Sequence, residues 1–407
     1  MMLFSAAPFR LLGTLSLSLL LVATTAAAAD APVPALPSPA APAVPMPPAP
    51  KIDAKSWVLI DYLTGRVLAE KDADLRVEPA SITKVMTSYV VAAERKAGKI
   101  KDDDAVFISE HAWKNGGGGT DGSTSFVPVN SSVPLHDLLM GMVIQSGNDA
   151  AIALAEHVAG SEETFAALMN QYADRLGMKQ THFVNASGLH DPNHYTSARD
   201  IAILSRALIR DFPEDYAAYA IKEFTINGIT QHNRNTLLWR DPSVDGIKTG
   251  HHKQAGYCLA ASAQRGDTRL ISVVMGSSGE KIRADQSQAL LNYGFGFFET
   301  HRLYAAGDLV AEPRLWHGVD DKARLGVANA AMVTIPRGSY DRLVASMNIP
   351  KPLSAPLAKG QQAGRLVVSL DGDELLNAPL VALADFPQAG VFSRLSDTVW
   401  LWFSDGD

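Results

Sequence analysis

A chain of 407 residues that is 47% hydrophobic and 19% charged has ample apolar content for a core and room for two or three domains. Its formal net charge is −7, with no basic run and no aromatic-basic stripe, which argues against a nucleic-acid partner. One cysteine, Cys258, excludes an internal disulfide.

The N-terminus reads as an address. Arg10, the apolar run 11–22 and the small residues before Asp30 describe a secretory signal peptide over 1–29, cleaved at or near Ala29. Its apolar core is too short to span a bilayer. Export without a disulfide suits a bacterial periplasm. A proline-rich linker follows over 30–50; nine of the twenty residues 31–50 are proline, which favours an extended, semi-rigid spacer.

Two alternating runs around Thr64-Gly65 then predict a hairpin. In "EPASITKVMTSYV", residues 78–90, Ile82, Val85, Met86, Tyr89 and Val90 recur at helical spacing, and Pro79 marks the lead-in. Ser81 and Lys84 share a face of this buried amphipathic helix. By itself such a pair is usually an N-cap serine and a solvated lysine, and residues 278–281 repeat the pattern by chance. Helices follow over 135–142 and 150–158, with Ser146-Gly147-Asn148 between them, and over 162–176, closed by Gly177. Another begins at the capping box Ser197-x-x-Asp200. Then "GIKTG", "YCLAASA" and "TRLISVVM" predict an antiparallel meander, and "RADQSQALLNYGFGFF" a last helix. Residues 51–300 therefore form an α/β domain, an antiparallel sheet with flanking helices. Short strands with Gly, Pro and Asp-Gly turns make 304–386 a separate small all-β domain. In the tail, 390–407, Val391, Phe392, Leu395, Val399, Trp402 and Phe403 recur at helical spacing. A helix this short cannot span a membrane; it suits the interface, or packing on the β domain.

Three elements stand in a fixed order: Ser81-x-x-Lys84, Ser146-Gly147-Asn148 and Lys248-Thr249-Gly250. Each alone is weak, since Ser346-Met347-Asn348 also fits the second. The ordered set, in an exported chain, matches closely the S-x-x-K, S-D-N and K-T-G elements of class A β-lactamases and penicillin-binding proteins. The residue types suit acyl transfer. A serine hydroxyl needs an adjacent base. Lys84 serves only when neutral, and burial or a neighbouring charge such as Lys248 lowers a lysine's pKa. A helix N-terminus adds positive potential at Ser81, and its backbone N–H can receive an oxyanion. Lys248 and Thr249 would contribute to a carboxylate pocket, and their strand, if an edge, could pair with a peptide.

The chain resembles the D-alanyl-D-alanine carboxypeptidases, a family of low-molecular-mass penicillin-binding proteins. "QSGNDA", "NRNTLLW", "VDGIKTGHHKQAGY", "RLISVVMGS", the small β domain and the aromatic tail carry the resemblance. It implies a β-lactamase/transpeptidase-like catalytic domain and removal of the terminal D-alanine from peptidoglycan stem peptides through a Ser81 acyl-enzyme, with acylation by penicillins. It implies Lys84 as base, Ser146 as proton relay, Asn148 as binder of a substrate amide, and the backbone N–H of His251 as second oxyanion donor. Arg234 and Arg283 join Lys248, Thr249 and Gly250 in binding the substrate and shaping the site. No cofactor and no metal are implied. The expected partners are stem peptides ending in D-Ala-D-Ala, β-lactams as inhibitors, and the outer face of the cytoplasmic membrane through the C-terminal helix. The run Gly116–Gly119, the doubled His251-His252 and the acidic tail end depart from the family pattern.

Other readings fare worse. A β-lactamase needs an efficient deacylation base, and no E-x-x-L-N element lies between the second and third motifs. A non-catalytic receptor has no need of the intact serines and lysines. His251 and His252, adjacent on a strand, point to opposite faces, which disfavours a metal pair. Cys258 sits in an apolar run and reads as a core thiol. The glycine-rich stretch 115–123 lacks the P-loop ending and reads as a flexible rim loop. His190, Asp191 and His194 would shape a loop beneath the site.

Overall fold

The computed structural model describes residues 28–30, 32–34, 46–117 and 122–404. The expected signal peptide up to residue 27, most of the proline-rich segment, part of the glycine-rich loop and the acidic tail end lie outside them.

Five antiparallel strands form the first sheet, in the order Val67–Lys71, Ser56–Asp61, Thr268–Ser277, Gly256–Arg265, Val244–His252. The last three are the expected meander. Side chains alternate across each strand, so the sheet feeds two cores. Val58, Ile60, Ile271 and Val273 face a helical layer, while Trp57, Leu59, Leu270 and Val274 face the helix Glu280–Phe297.

At the centre of the helical layer lies Lys84–Lys96. It packs against the helices Asn148–Ala159, Glu162–Leu176 and Ala198–Asp211. Amphipathicity understates its burial: Lys84 to Ala92 are all buried, including Thr87, whose hydroxyl donates to Ala186 O at 2.6 Å. Buried polar groups need such partners. Capping follows the sequence. Ser197 Oγ accepts from Asp200 N at 3.1 Å, and Gly177 ends its helix in the left-handed region. The helix expected over 135–142 differs. It is α-helical over Leu135–Met140, widens into a π turn over Gly141–Gln145, and stops at Ser146, whose φ is 67°. Such π turns often mark functional sites.

The helix Glu280–Phe297 leads directly into the strand Phe298–Tyr304, which pairs with Ala331–Pro336. The domain boundary expected at 300–304 thus falls inside a strand. Beyond it, a six-stranded sheet encloses a separate core that includes Leu325, Leu366, Val368 and Leu380. Asp371-Gly372, both at positive φ, turn the strand Gln362–Leu370 into Asp373–Ala382. Thr300 Oγ1 donates to Asp61 Oδ2 at 2.9 Å, and Thr64 Oγ1 lies 2.8 Å from Thr334 Oγ1, which ties the two-stranded ribbon Phe298–Tyr304 and Ala331–Pro336 to the first sheet.

The proline-rich segment is fastened rather than free at both described ends. Ala28–Asp30, which spans the last two residues of the expected signal peptide and the first of the linker, pairs as an edge strand with Leu343–Asn348. Pro34 O accepts from Tyr340 OH at 2.6 Å, and Pro47 O from Tyr293 OH at 3.1 Å. A proline has no N–H, but its carbonyl still needs a donor, and these phenols supply one.

The tail is a helix over Val391–Ser404. Asp397 Oδ2 accepts from His317 N at 2.7 Å, and Thr398 Oγ1 lies 3.2 Å from His317 Nε2, so its polar side docks on the β domain. Val391, Phe392, Leu395 and Val399 are exposed, Phe392 by 90%. No helix among the described residues is long and apolar enough to cross a membrane.

Candidate active site

Ser81 lies on a 3-10 turn, Ala80–Thr83, rather than in the first α-helical turn. The helix begins at Lys84. Two glycines let flanking segments press on this turn. A Cβ on Gly250 would sit 2.6 Å from Pro79 O. A Cβ on Gly188, at φ +80°, would sit 1.9 Å from Ala80 O. The strand Val244–His252 closes one side and the loop 187–194 the other.

Lys84 is 1% exposed, and its Nζ meets three acceptors. These are Ser81 Oγ at 3.0 Å, Asn148 Oδ1 at 2.7 Å and Ser187 O at 2.6 Å. Burial pushes its pKa down to about 7, opposed by Asp149 and Glu162 and reinforced by Arg234. The geometry suits the neutral form. A neutral amine has two N–H groups and one lone pair. The two carbonyl oxygens can only accept, so the lone pair is left for the Ser81 hydroxyl. Because Asn148 Oδ1 receives Lys84, its Nδ2 remains for another acceptor.

Lys248 is also buried. Its pKa is held well below the usual lysine value, first by burial and then by Lys84, Arg234 and Arg283. The two amines repel each other as cations, and burial comes first in lowering both, with Arg234 adding to it.

A cavity of about 620 Å³ opens above these amines. Of the expected residues, Ser81, Ser146, Asn148, Arg234, Thr249, Gly250, His251 and Arg283 line it, while Lys84 and Lys248 lie beneath. Arg234 Nε reaches Gln145 O at 3.4 Å. Asn235 Nδ2 donates to Gly246 O at 2.9 Å, fixing that segment on the strand. Arg283 donates to Gly250 O at 3.2 Å and to Glu280 Oε1 at 3.2 Å, so it supports the strand as well as lining the cavity. Val244–His252 is the outermost strand of its sheet, as strand addition requires.

The motifs did not announce several neighbours. Asp149, one residue past Asn148, accepts from Ser125 N at 2.8 Å and Thr124 Oγ1 at 2.7 Å, drawing the rim segment onto a helix N-terminus. His194 accepts from Val184 N at 3.2 Å through Nδ1, which leaves Nε2–H for Thr83 Oγ1 at 2.8 Å. Burial pushes its pKa down to about 3, so it is a neutral pin against the Ser81 turn. This gives the expected loop-shaping histidine a definite contact. His251 stacks on Tyr257 with centroids 4.0 Å apart, while His252 turns towards Glu78. Among the described residues no group of three or more His, Cys, Asp or Glu could hold a metal ion. Cys258 is fully buried and its thiol is pushed up to about 11, as suits a core thiol.

Two family models match the chain. Residues 43–279 match the family model for D-alanyl-D-alanine carboxypeptidase, and residues 298–388 that for the C-terminal domain of penicillin-binding protein 5. The chain is 47% identical over 357 residues to D-alanyl-D-alanine carboxypeptidase DacA of Escherichia coli, covering 87% of this chain and 89% of that protein. Penicillin-binding protein 5 from Haemophilus influenzae superposes with a TM-score of 0.80 at 44% identity, covering 84% of this chain and 99% of that structure. Penicillin-binding protein D2 from Listeria monocytogenes, in its ampicillin-bound form, superposes with a TM-score of 0.53 at 28% identity, covering 61% of this chain and all of that one.

Proposed function

The chain belongs to the D-alanyl-D-alanine carboxypeptidase family and is a serine-type hydrolase of the penicillin-binding fold; from that premise we propose that Ser81 is its nucleophile and Lys84 its base. The observation that carries this is the Lys84 amine, buried and 3.0 Å from Ser81 Oγ, with two carbonyls holding its N–H groups.

The substrate is a peptidoglycan stem peptide ending in D-Ala-D-Ala. It pairs as an added strand along Val244–His252, with its terminal carboxylate at Thr249, Arg234 and Lys248. That carboxylate favours the protonated form of Lys248. A protonated Lys248 in turn favours neutral Lys84, so substrate binding readies the base. Lys84 takes the Ser81 proton as Oγ attacks the carbonyl between the two D-alanines. The backbone N–H groups of Ser81 and His251 hold the oxyanion. Asn148 Nδ2 binds a substrate amide. Ser146 passes a proton to the leaving nitrogen; such transfers contribute about 10²–10⁴-fold. The C–N bond breaks, D-alanine leaves, and water hydrolyses the ester. A penicillin opens its lactam on the same serine, but its leaving nitrogen stays tethered, so the adduct is slow to clear.

The protein acts outside the cytoplasm, delivered by the signal peptide over 1–29. The helix Val391–Ser404 lies in the outer interface of the cytoplasmic membrane, with its docked polar side towards the protein. What supports this is the exposure of Val391, Phe392, Leu395 and Val399 opposite the His317 contacts.

Turnover of a D-Ala-D-Ala peptide beside turnover of a penicillin tests the activity. The expected outcome is steady release of D-alanine, with penicillin turned over far more slowly. Rapid penicillin turnover without peptide hydrolysis indicates a β-lactamase. Binding of both without turnover indicates a receptor.

A further inference from the structure

The rim of the cleft carries a carboxylate that the three motifs leave unused. Glu78, three residues before Ser81, turns one oxygen towards two imidazoles. Its Oε2 lies 2.7 Å from His190 Nδ1 and 3.4 Å from His252 Nε2, and the ring centroids are 5.8 Å apart. A carboxylate only accepts, so each ring turns an N–H to it. The second nitrogen of His252 agrees: Nδ1 accepts from Ala255 N at 3.2 Å, which leaves the proton on Nε2. That tautomer leaves Nε2 with no lone pair for a metal. Two nearby cations are engaged elsewhere. Lys55 Nζ donates to Gln254 O at 2.9 Å, and Arg76 Nε to Gln180 Oε1 at 2.8 Å.

The two histidines belong to opposite walls of the site. His190 lies in the loop that presents Ser187 O to Lys84 and packs Gly188 on Ala80. His252 ends the Lys-Thr-Gly strand, next to His251. Glu78 itself leads into the Ser81 turn. One oxygen therefore joins the nucleophile turn, the acceptor of the base, and the strand end that would present the oxyanion donor.

We propose that Glu78 is a positioning residue for acylation: by holding His190 and His252 it fixes the spacing of the Ser81 turn, Ser187 O and the His251 backbone N–H. This rests on the reading of Ser81 as nucleophile and Lys84 as base. Errors of about 1 Å in such spacing cost on the order of 10²-fold in rate.

Stopped-flow reaction of the full chain with a penicillin separates the non-covalent binding constant from the first-order acylation rate. Glu78→Ala should lower the acylation rate about 10- to 100-fold while the binding constant moves less than about threefold. Glu78→Gln keeps an oxygen able to accept both N–H groups and should restore most of the rate. Adding Glu78→Ala to the double variant His190→Ala/His252→Ala should change nothing further, since groups acting as one unit are not additive. His252→Ala, which leaves Glu78 in place, should show part of the same loss if Glu78→Ala folds poorly. An unchanged acylation rate in Glu78→Ala, an equal loss in Glu78→Gln, or additive losses overturns the proposal. An unmodified protein that is not acylated at Ser81 overturns the reading of the nucleophile, and the proposal with it.

Discussion

At the scale of residues, the site turns on how two lysines are kept from being ordinary cations. Lys84 has its pKa pushed down to about 7 by burial. Below that pH it is protonated and has no lone pair for Ser81. The second-order rate constant of acylation, which reports the free protein, should therefore rise with pH through about 7 and fall about tenfold per unit on the acidic side. A pH profile of penicillin acylation checks this, and a flat profile from pH 5 to 8 contradicts it. The sign for stability is the same. An unfolded lysine titrates at about 10.4, so between pH 7 and 10 the unfolded chain binds more protons. The cost of burying Lys84 is thus full below pH 7 and fades as pH rises towards 10. Lys84→Ala should abolish acylation. Lys248→Ala should weaken both binding and acylation. Lys248→Arg keeps the charge but not the compact amine and should rescue only in part, as measured by the binding constant and rate of the same reaction. That Ser81, Lys84, Ser146, Asn148, Lys248 and Thr249 would gather at one cleft was legible in the sequence, because the proposed chemistry needs those residue types in that order. Glu78 and Asp149 were not, and His194 was legible only as part of a loop beneath the site, without its partner. Each is an ordinary polar residue until folding brings a second segment to it, as His252 comes to Glu78 or Thr83 to His194.

At the scale of elements, close approach does what side chains cannot. Gly250 lies on the strand Val244–His252, and a Cβ there would sit 2.6 Å from Pro79 O and 3.2 Å from Ile82 N. Gly250→Ala should lift the strand from the nucleophile turn. It should slow acylation by roughly 10²-fold and cost about 1–3 kcal/mol of stability. Stopped-flow acylation and a thermal melt check the two effects separately, and a full-rate variant contradicts the packing. The meander, the caps at Ser197 and Gly177 and the Asp371-Gly372 turn follow local rules, so the sequence displayed them. The 3-10 turn at Ala80–Thr83 and the π turn at Gly141–Gln145 do not. Both are set by what packs on them, Gly188 and Gly250 on the first and Ser125 on Gly141 in the second.

At the scale of the whole molecule, the catalytic domain, the β domain and the tail form one continuous path from cleft to proposed membrane contact. The tail has one cation, Arg394, and its Asp397 is engaged by the β domain. Electrostatic attraction, about 1 kcal/mol per basic residue near an anionic surface, is therefore small beside apolar insertion. Full-length mature protein should sediment with anionic vesicles, resist high salt and be released by detergent. Deleting 390–407 should free it without loss of hydrolysis of a small peptide. Release by salt alone contradicts apolar attachment. All of this serves one covalent event, and intact-mass measurement with peptide mapping after penicillin treatment observes it directly. The account predicts a single adduct on the peptide containing Ser81, absent in Ser81→Ala; an adduct at full yield in Ser81→Ala contradicts it.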